Sequence, residues 1–382
     1  MDVVTALFVS IFIILLLIKF EITLAVFSGA IFLALATSPE SIYTSLSDSS
    51  TWKIVAIVIF AFSIGYGMEV TKMLDKITET VESFAGVFSL ALIPMLIGLL
   101  PMPGGALVSA VMIKDFVEKF RIPPEKAVFI NYWFRHVWVT FWPLYPNIVI
   151  AMGILSADYG EIARATYPIL LASIVAGVVM FGVKGKRGES GLLSLRGLIY
   201  MYPVILIVIF TAITGDLLIA LIASFVSIVA FNRAYRKIPE IFKKTIDLKI
   251  ILLVIGVMIY KTAIEASGAS QAFYDEVLSM SNPYVAGFTL PFVIAFATGI
   301  ELSYTSVALP LLTSFTGTVN VVESNLFLVF LGGILGVLLS PMHLCLVLTA
   351  QYFKARLYVV YRYLIPAALI TVLIALPFLR VL

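Results

Sequence analysis

The sequence predicts an all-α polytopic membrane protein, and three observations carry this prediction. Of the 382 residues, 62% are hydrophobic and only 12% are charged, which is far from the composition of soluble globular domains. Apolar runs of bilayer-spanning length recur from one end of the chain to the other. The basic residues collect between these runs, so the net charge of +3 gives no indication of nucleic-acid binding, and none is expected.

Ten apolar runs are predicted as membrane-spanning helices. They cover residues 3–18, 22–36, 52–68, 127–155 and 165–183 in the first half, and 197–213, 217–231, 248–264, 326–353 and 358–379 in the second. Two more apolar stretches, about 84–113 and 283–312, are too long for one straight crossing and too short for two crossings with a loop. We interpret each of these two as a re-entrant hairpin.

Loop charge supports the hairpins and predicts the topology. With both stretches returning to their side of entry, the basic residues of segments 72–76, 114–126, 184–187, 233–244 and 354–356 share one side. Acidic residues dominate the opposite side, among them Glu40, Asp48, Asp158, Asp216 and Glu265. The positive-inside rule then predicts a multi-pass protein of the cytoplasmic membrane with both termini outside the cytoplasm.

The two halves match at an offset of about 197 residues. In this alignment Glu21 pairs with Asp216, Pro94 pairs with Pro291, and "WPLYP" (142–146) falls on "SPMHL" (340–344). Each half contains five crossings, an odd number, so the second half is predicted to be inverted relative to the first. The predicted units are an N-terminal repeat at 1–190 and a C-terminal repeat at 195–382, and inverted repeats around broken helices are typical of secondary transporters.

The functional site is predicted where the hairpin tips and the broken helices meet near mid-membrane. In "PMPGGALVSA" (101–110), prolines stop the first arm and glycines permit a tight turn, so the second arm presents a helix N-terminus suited to an anion. The second tip, "ATGIELSYTS" (297–306), carries hydroxyls and a carboxylate. The predicted substrate-binding residues are Pro103, Gly104, Gly105, Ser109, Arg135, Asn147, Thr298, Gly299, Ser303, Thr305 and Ser306, and the predicted ion-coupling residues are Glu301, Ser340 and His343.

Three of these residues also have a purely structural interpretation. A carboxylate such as Glu301 is costly inside a bilayer, so its presence there indicates a function. The alternative is that the tip is shallow and Glu301 is solvated. His343 lies in a broken-helix centre, where it is either functional or a hydrogen-bonded core residue. Arg135 is suited to bidentate binding of a carboxylate, and otherwise snorkels toward the cytoplasm. His136, next to it, is a further source of positive charge.

At these residues the sequence resembles the ion transporter superfamily, which includes gluconate permeases, citrate and dicarboxylate symporters and some sodium/proton antiporters. "PMPGGALVSA" and "LLSPMHLCLVL" (338–348) look like motifs of an uncharacterised prokaryotic integral membrane protein family similar to the gluconate permease branch. The resemblance covers essentially the whole chain. It implies a homodimer with an elevator-type transporter fold, in which the hairpins belong to the moving domain. Neither tip carries the Ser-Asn-Thr signature of sodium/dicarboxylate members.

The predicted function is therefore ion-coupled secondary transport, such as symport, of a small organic anion, with a carboxylate as the expected substrate and membrane lipid as surroundings. The coupling ion is Na⁺ or H⁺, and no cofactor or metal is expected. An enzyme is disfavoured because the chain has two histidines and no HExxH, GxSxG or nucleotide-binding glycine loop, and its single cysteine, Cys345, excludes a thiolate cluster. A cation/proton antiporter on the same fold and a lipid-handling protein remain alternatives.

Overall fold

A computed structural model describes residues 2–18, 20–101, 104–183, 192–280 and 282–382, and within these residues the regular structure is helical, without strands. The first half contains α1 (Val3–Leu17), α2 (Ile22–Thr37), α3 (Glu40–Ser47), α4 (Ser49–Val70), α5 (Met73–Ala85), α6 (Ser89–Ile97), α7 (Gly105–Lys119), α8 (Pro124–His136), α9 (Pro146–Leu155) and α10 (Tyr159–Phe181). The second half contains α11 (Tyr202–Thr214), α12 (Leu217–Phe231), α13 (Ile238–Thr245), α14 (Leu248–Ser267), α15 (Ala269–Met280), α16 (Pro283–Thr298), α17 (Glu301–Ser303), α18 (Leu309–Leu311), α19 (Thr313–Thr316), α20 (Glu323–Leu339), α21 (Leu344–Tyr352) and α22 (Leu357–Ala375).

Among the described residues, six helical segments are long and apolar enough to cross a membrane. They are Ser49–Val70, Tyr159–Phe181, Gly197–Thr214, Leu248–Ser267, Glu323–Tyr352 and Leu357–Arg380. Other apolar runs form shorter helices: α1, α2 and α12 have 15, 16 and 15 residues. The protein is therefore a multi-pass, all-helical membrane protein.

Acidic and polar caps explain where several of these helices begin. The side chains of Asp2, Glu21, Asp48 and Asp216 each accept a hydrogen bond from a backbone N–H in the first turn of the following helix. Asp158 forms a full capping box with Glu161 at the start of α10. Residues that sequence analysis placed in loops are thus the start signals of apolar helices.

Four short helices, α3, α5, α13 and α15, lie in segments for which the sequence analysis predicted no helix. The prediction relied on long apolar runs, and a short amphipathic helix has no such run, so these four helices were missed. In α5, for example, Met73, Ile77, Val81 and Ala85 are buried at a spacing of four residues, while the opposite face is polar.

Helices α8 and α20 form the centre of the molecule. Every residue from 127 to 136 and from 326 to 338 is buried. In contrast, α10 and α22 expose apolar side chains such as Leu171, Val178, Leu369 and Leu373, which suit a lipid-facing surface. The polar residues of α8 from 127 to 136 therefore lie inside the protein rather than against lipid.

The two halves interleave instead of packing as separate units. Helix α2 packs on α14, α4 packs on α12, and α7 packs on α21. At the edge of α4, the Lys53 ammonium lies 2.8 Å from the Asp216 carboxylate, and this hydrogen bond holds the pKa of Asp216 below its usual range. Lys261 of α14 donates to the Gly153 carbonyl and to the Ser156 hydroxyl, both at 2.8 Å, at the C-terminal end of α9.

Close packing of α16 on α20 depends on glycines. A methyl group at Gly332 would collide with the Phe288 backbone, and one at Gly336 would collide with the Phe292 carbonyl. Gly332 and Gly336 therefore allow α20 to pack closely against α16.

We expect Gly332→Ala to destabilise the protein by about 1–3 kcal/mol, since the α16 backbone must move to admit the methyl group. Gly67→Ala is the matched control, because its new methyl group would meet the side chains of Ile228 and Ile241 at ordinary contact distances of 3.5 Å or more. Thermal unfolding of the purified variants in detergent measures the stability of Gly332→Ala and of Gly67→Ala. Equal melting temperatures for Gly332→Ala and the wild type would show that α16 and α20 do not pack as described.

Candidate functional site

The candidate site lies where four helices are interrupted. Helix α8 ends at His136 and α9 begins at Pro146, with turns between them, and four residues separate the end of α20 at Leu339 from the start of α21 at Leu344. Helix α6 ends at Ile97 and α7 begins at Gly105. Helix α16 ends at Thr298, and the chain continues through the short α17 and a π-helical turn, Tyr304–Ala308. These interruptions fall within the segments that the sequence marks by Pro and Gly.

Side-chain amides connect the interruptions to one another. The Asn131 amide of α8 donates to the Ala106 carbonyl of α7 at 2.9 Å and to the Thr349 hydroxyl of α21 at 3.3 Å. The Asn147 amide of α9 donates to the Tyr304 hydroxyl of the π-helical turn at 3.0 Å. The start of α7, both broken helices and the turn after α16 therefore form one polar layer.

The two histidines of the chain meet in this layer. The His136 Nε2 and His343 Nε2 atoms are 3.1 Å apart, and both rings are buried. His136 Nδ1 lies 2.6 Å from the Tyr132 carbonyl and His343 Nδ1 lies 2.7 Å from the Gly299 carbonyl. Because a carbonyl can only accept, these partners assign the proton of each ring to Nδ1.

Glu301 brings a carboxylate to the histidine pair. Its Oε1 atom lies 3.5 Å from His136 Nε2, and its side chain is 21% exposed while that of His136 is fully buried. The residue begins α17, directly after the turn at Gly299 and Ile300. The carboxylate therefore lies between the buried pair and the surface of the protein.

Arg135 supplies a buried positive charge on α8, the helix that carries His136. It is only 4% exposed, which excludes the snorkelling alternative, and its Nε atom has no hydrogen-bond partner among the described residues. None of the carboxylates in the described part of the chain forms a salt bridge with it. It is close enough to act electrostatically on Glu301, His343 and Cys345.

Other buried polar atoms of this region also lack partners within the described residues. They are Asn131 Oδ1, Trp142 Nε1, Asn147 Oδ1 and Ser306 Oγ. Buried polar groups are normally hydrogen-bonded, so such a group of atoms indicates places where a ligand or water binds. The set offers donors and acceptors on both sides of the α8–α9 break.

Most of the predicted hydroxyl ligands instead donate to backbone carbonyls. Ser340 Oγ donates to the Phe296 carbonyl at 2.7 Å, Ser303 Oγ donates to the Ile300 carbonyl at 2.7 Å, and Thr305 Oγ1 donates to the Leu302 carbonyl at 3.2 Å. Thr298 Oγ1 donates to the Ile294 carbonyl and lies 2.7 Å from Ser303 Oγ. These four side chains stabilise the second tip, and only their oxygen lone pairs remain for a ligand.

At the first tip, Gly104 precedes α7 with φ of +73°, a left-handed conformation that favours glycine, and Gly105 is the first residue of α7. Ser109 Oγ donates within the helix, to the Gly105 and Ala106 carbonyls. Pro103 lies outside the described residues. At the second tip, Gly299 also adopts a positive φ, +66°, and packs against the His343 backbone.

Sequence reasoning missed several residues of the site. His136 was considered only as a source of charge, whereas it faces His343 and Glu301. Asn131 and Tyr304 were not singled out. His136, His343 and Cys345 each offer one ligand atom, a ring nitrogen or the sulfur, and these three atoms all lie within 4.8 Å of one another, which makes the three residues potential ligands of one metal ion. The available signal was that both histidines of the chain fall in the broken helices.

The broken helices, buried polar layer and apolar exterior define an integral membrane protein with an all-helical fold. The chain belongs to the family described as "Protein of unknown function (DUF401)", whose profile matches residues 1–382. Its structure is similar to the crystal structure of the Alcanivorax borkumensis YdaH transporter, which is described as revealing an unusual topology. The TM-score is 0.63 at 10% identity, with 98% of each chain covered, so the fold alone is shared.

A search of curated proteins found no match. The structural likeness shows a shared fold. It does not extend to the gluconate, citrate or dicarboxylate branch, which stays an expectation from the sequence.

We expect Arg135→Met to leave the ligand-free protein at least as stable as the wild type, since a buried charge without a partner costs several kcal/mol. Thermal unfolding in detergent measures this. Arg164→Met is the control, because it breaks an exposed salt bridge with Glu323 at 2.6 Å and should cost at most about 1 kcal/mol. A loss of about 3–5 kcal/mol in Arg135→Met would instead indicate a structural ion pair.

Proposed function

We propose that this protein is an ion-coupled secondary transporter that moves a small organic anion, a carboxylate, across the cytoplasmic membrane. The observation that carries the proposal is the buried, unpaired guanidinium of Arg135 beside other polar atoms without partners. A membrane protein keeps such a charge at mid-bilayer only where it has a function, and a carboxylate is the natural bidentate partner of arginine.

The surroundings of Arg135 favour an anion. The N-termini of α7 and α9 bring positive ends of helix dipoles into the polar layer, and Trp142 Nε1 offers a free donor. In this proposal Gly104, Gly105, Ser109 and Asn147 line the anion half of the site. A substrate carboxylate there would satisfy the donors that the described protein leaves without partners.

The second tip and the α20–α21 break make up the cation half. Glu301 carries the negative charge, and His343 and Ser340 lie at the break that faces it. The hydroxyls of Thr298, Ser303, Thr305 and Ser306 add oxygen atoms of the kind that coordinates Na⁺. The coupling ion is Na⁺ or H⁺, and binding it next to the anion half lowers the cost of carrying charge through the bilayer.

The order of helices supports a mechanism built on inverted repeats. The series α2, α4, α8, α9 and α10 has counterparts α12, α14, α20, α21 and α22, with Glu21 and Asp216 as caps of the first pair. Pro94 and Pro291 both lie inside the helix that precedes a tip. We propose five spans and one re-entrant hairpin per half, both termini outside, and an elevator motion within a homodimer.

A cation/proton antiporter is the second candidate, and a specific observation favours it. His136, His343 and Glu301 bring three acceptor atoms together, as a cation requires. Arg135 distinguishes the two functions. Its buried guanidinium lies within electrostatic reach of Glu301, where its positive charge would oppose the binding of a cation.

We expect a carboxylate substrate to stabilise the purified protein. At a hundred times its dissociation constant a ligand adds about 2.7 kcal/mol, which a thermal-shift screen of organic acids, with and without Na⁺, can detect. Arg135→Met should lose the shift while staying folded, and Arg164→Met should keep it. If no acid shifts the wild type under any ion condition while an amine or a lipid does, the anion proposal fails.

We expect Glu301→Gln to remove the ion dependence of uptake into proteoliposomes, since the variant keeps the shape of the side chain but loses its charge. Glu69→Gln, at the exposed end of α4, is the control and should transport like the wild type. Uptake of the acid identified by thermal shift is measured against imposed Na⁺ and pH gradients. Full retention of both dependences in Glu301→Gln would exclude this carboxylate as the coupling group.

A further inference from the structure

The histidine pair has an arrangement that neutral imidazoles alone do not favour. Both Nδ1 atoms face backbone carbonyls at 2.6 and 2.7 Å, so both Nε2 atoms carry lone pairs. Those lone pairs face each other at 3.1 Å, and the Glu301 Oε1 atom, also an acceptor, lies 3.5 Å from His136 Nε2. Three acceptor atoms converge without a donor among them, which is the arrangement that a cation stabilises.

We infer that this cluster binds one divalent transition-metal ion of the Zn²⁺ type, with His136, His343 and Cys345 as its protein ligands, a solvent molecule as the fourth ligand and the Glu301 carboxylate beside the ion. The inference goes beyond transport of an anion and does not depend on it. Nitrogen and sulfur donors select this class of metal over Na⁺, Mg²⁺ or Ca²⁺, which prefer oxygen.

The distances agree with tetrahedral coordination. With metal–nitrogen bonds of about 2.0–2.1 Å, two nitrogen ligands of a tetrahedral ion lie about 3.3 Å apart. The two Nε2 atoms are separated by 3.1 Å. The Cys345 Sγ atom lies within 4.8 Å of a ring nitrogen of each histidine, so a side-chain rotation brings it to the longer metal–sulfur distance of about 2.3 Å.

The surrounding residues hold the rings as metal-binding histidines are held. Such histidines usually donate their second ring N–H to a carbonyl or a carboxylate, which fixes the tautomer and the ring orientation. Here the Tyr132 and Gly299 carbonyls do so. The Tyr132 ring also contacts both imidazoles, with centroid separations of 4.5 Å to His136 and 5.4 Å to His343.

Charge and access are compatible with the ion. A divalent cation, the Cys345 thiolate and the Glu301 carboxylate sum to zero, and the thiol proton is released to solvent on binding. Arg135 then retains its positive charge for a substrate anion. The Glu301 side chain is 21% exposed and Cys345 is partly exposed, so the ligand set reaches the protein surface.

The chain allows a clean test because it contains only two histidines and one cysteine. The protein is purified without a histidine tag, stripped with chelator and titrated with Zn²⁺ by calorimetry and with Co²⁺ by absorption spectroscopy. We expect one ion per chain and tetrahedral Co²⁺ bands with a thiolate charge-transfer band. Cys345→Ser should remove the charge-transfer band, and His136→Gln and His343→Gln should each weaken binding by at least about 100-fold.

Tyr132→Phe is the matched control. It keeps the ring and the carbonyl beside His136 and loses only the hydroxyl, which donates to the Val337 carbonyl at 3.3 Å. It should bind metal like the wild type. Melting temperatures of all variants show which of them are folded.

Two results would overturn the metal site. One is the absence of tight binding by wild-type protein, in which case a proton shared between the two Nε2 atoms accounts for the geometry. The other is equal affinity in the wild type and in the folded His136→Gln/His343→Gln double variant. The screen of organic acids is repeated on chelator-treated protein. A carboxylate shift that persists there shows that the anion site does not depend on the metal, so failure of the metal site and failure of the proposed transport function can be told apart.

Discussion

The structure depends on satisfying backbone groups that interrupted helices release in the buried polar layer. A bilayer offers no water to such groups, so the protein itself must bond them. The Gly98 carbonyl after α6 accepts from the Tyr145 hydroxyl at 2.6 Å, and the Gly299 carbonyl after α16 is held by His343. The Val139 carbonyl between α8 and α9 accepts from Asn147 at 2.9 Å. Each break is thereby stabilised by a side chain from another break or from the adjoining segment.

This arrangement divides the polar residues into two groups. The hydroxyl groups of Ser340, Ser303 and Thr298 donate to backbone carbonyls of the second tip. Their first role is therefore to stabilise the tip. Arg135, and the Nε2 atoms of the histidines, have no such backbone partner. Chemistry that involves a ligand therefore falls to the second group, and the first group sets its position.

Glycines let the same breaks approach closely enough to interact. A side chain at Gly98 would collide with the Arg135 backbone, and one at Gly299 would collide with the His343 backbone. These two contacts bring the end of α6 against α8 and the end of α16 against the α20–α21 break. The polar layer is thus formed by backbones in direct contact, which places Arg135 and both histidines within one small region.

The sequence by itself determined that the chain is an all-helical membrane protein, where its long apolar helices run, and that Pro and Gly interrupt it near 101–104, 143–146, 299 and 341. These features depend on local composition and on the helix-breaking properties of single residues, and both are independent of the tertiary structure. Sequence also marked Arg135, Glu301 and His343 as candidate functional residues, and Glu301 as costly for a bilayer. It did not predict the four short amphipathic helices, whose stability depends on the face they bury. Only the tertiary structure decided that His136 faces His343 and Glu301, that Arg135 is buried without a partner, and that most tip hydroxyls bond to backbone. The residues of the histidine pair are separated by 207 positions, and no local pattern encodes which side chains meet when two broken helices pack together.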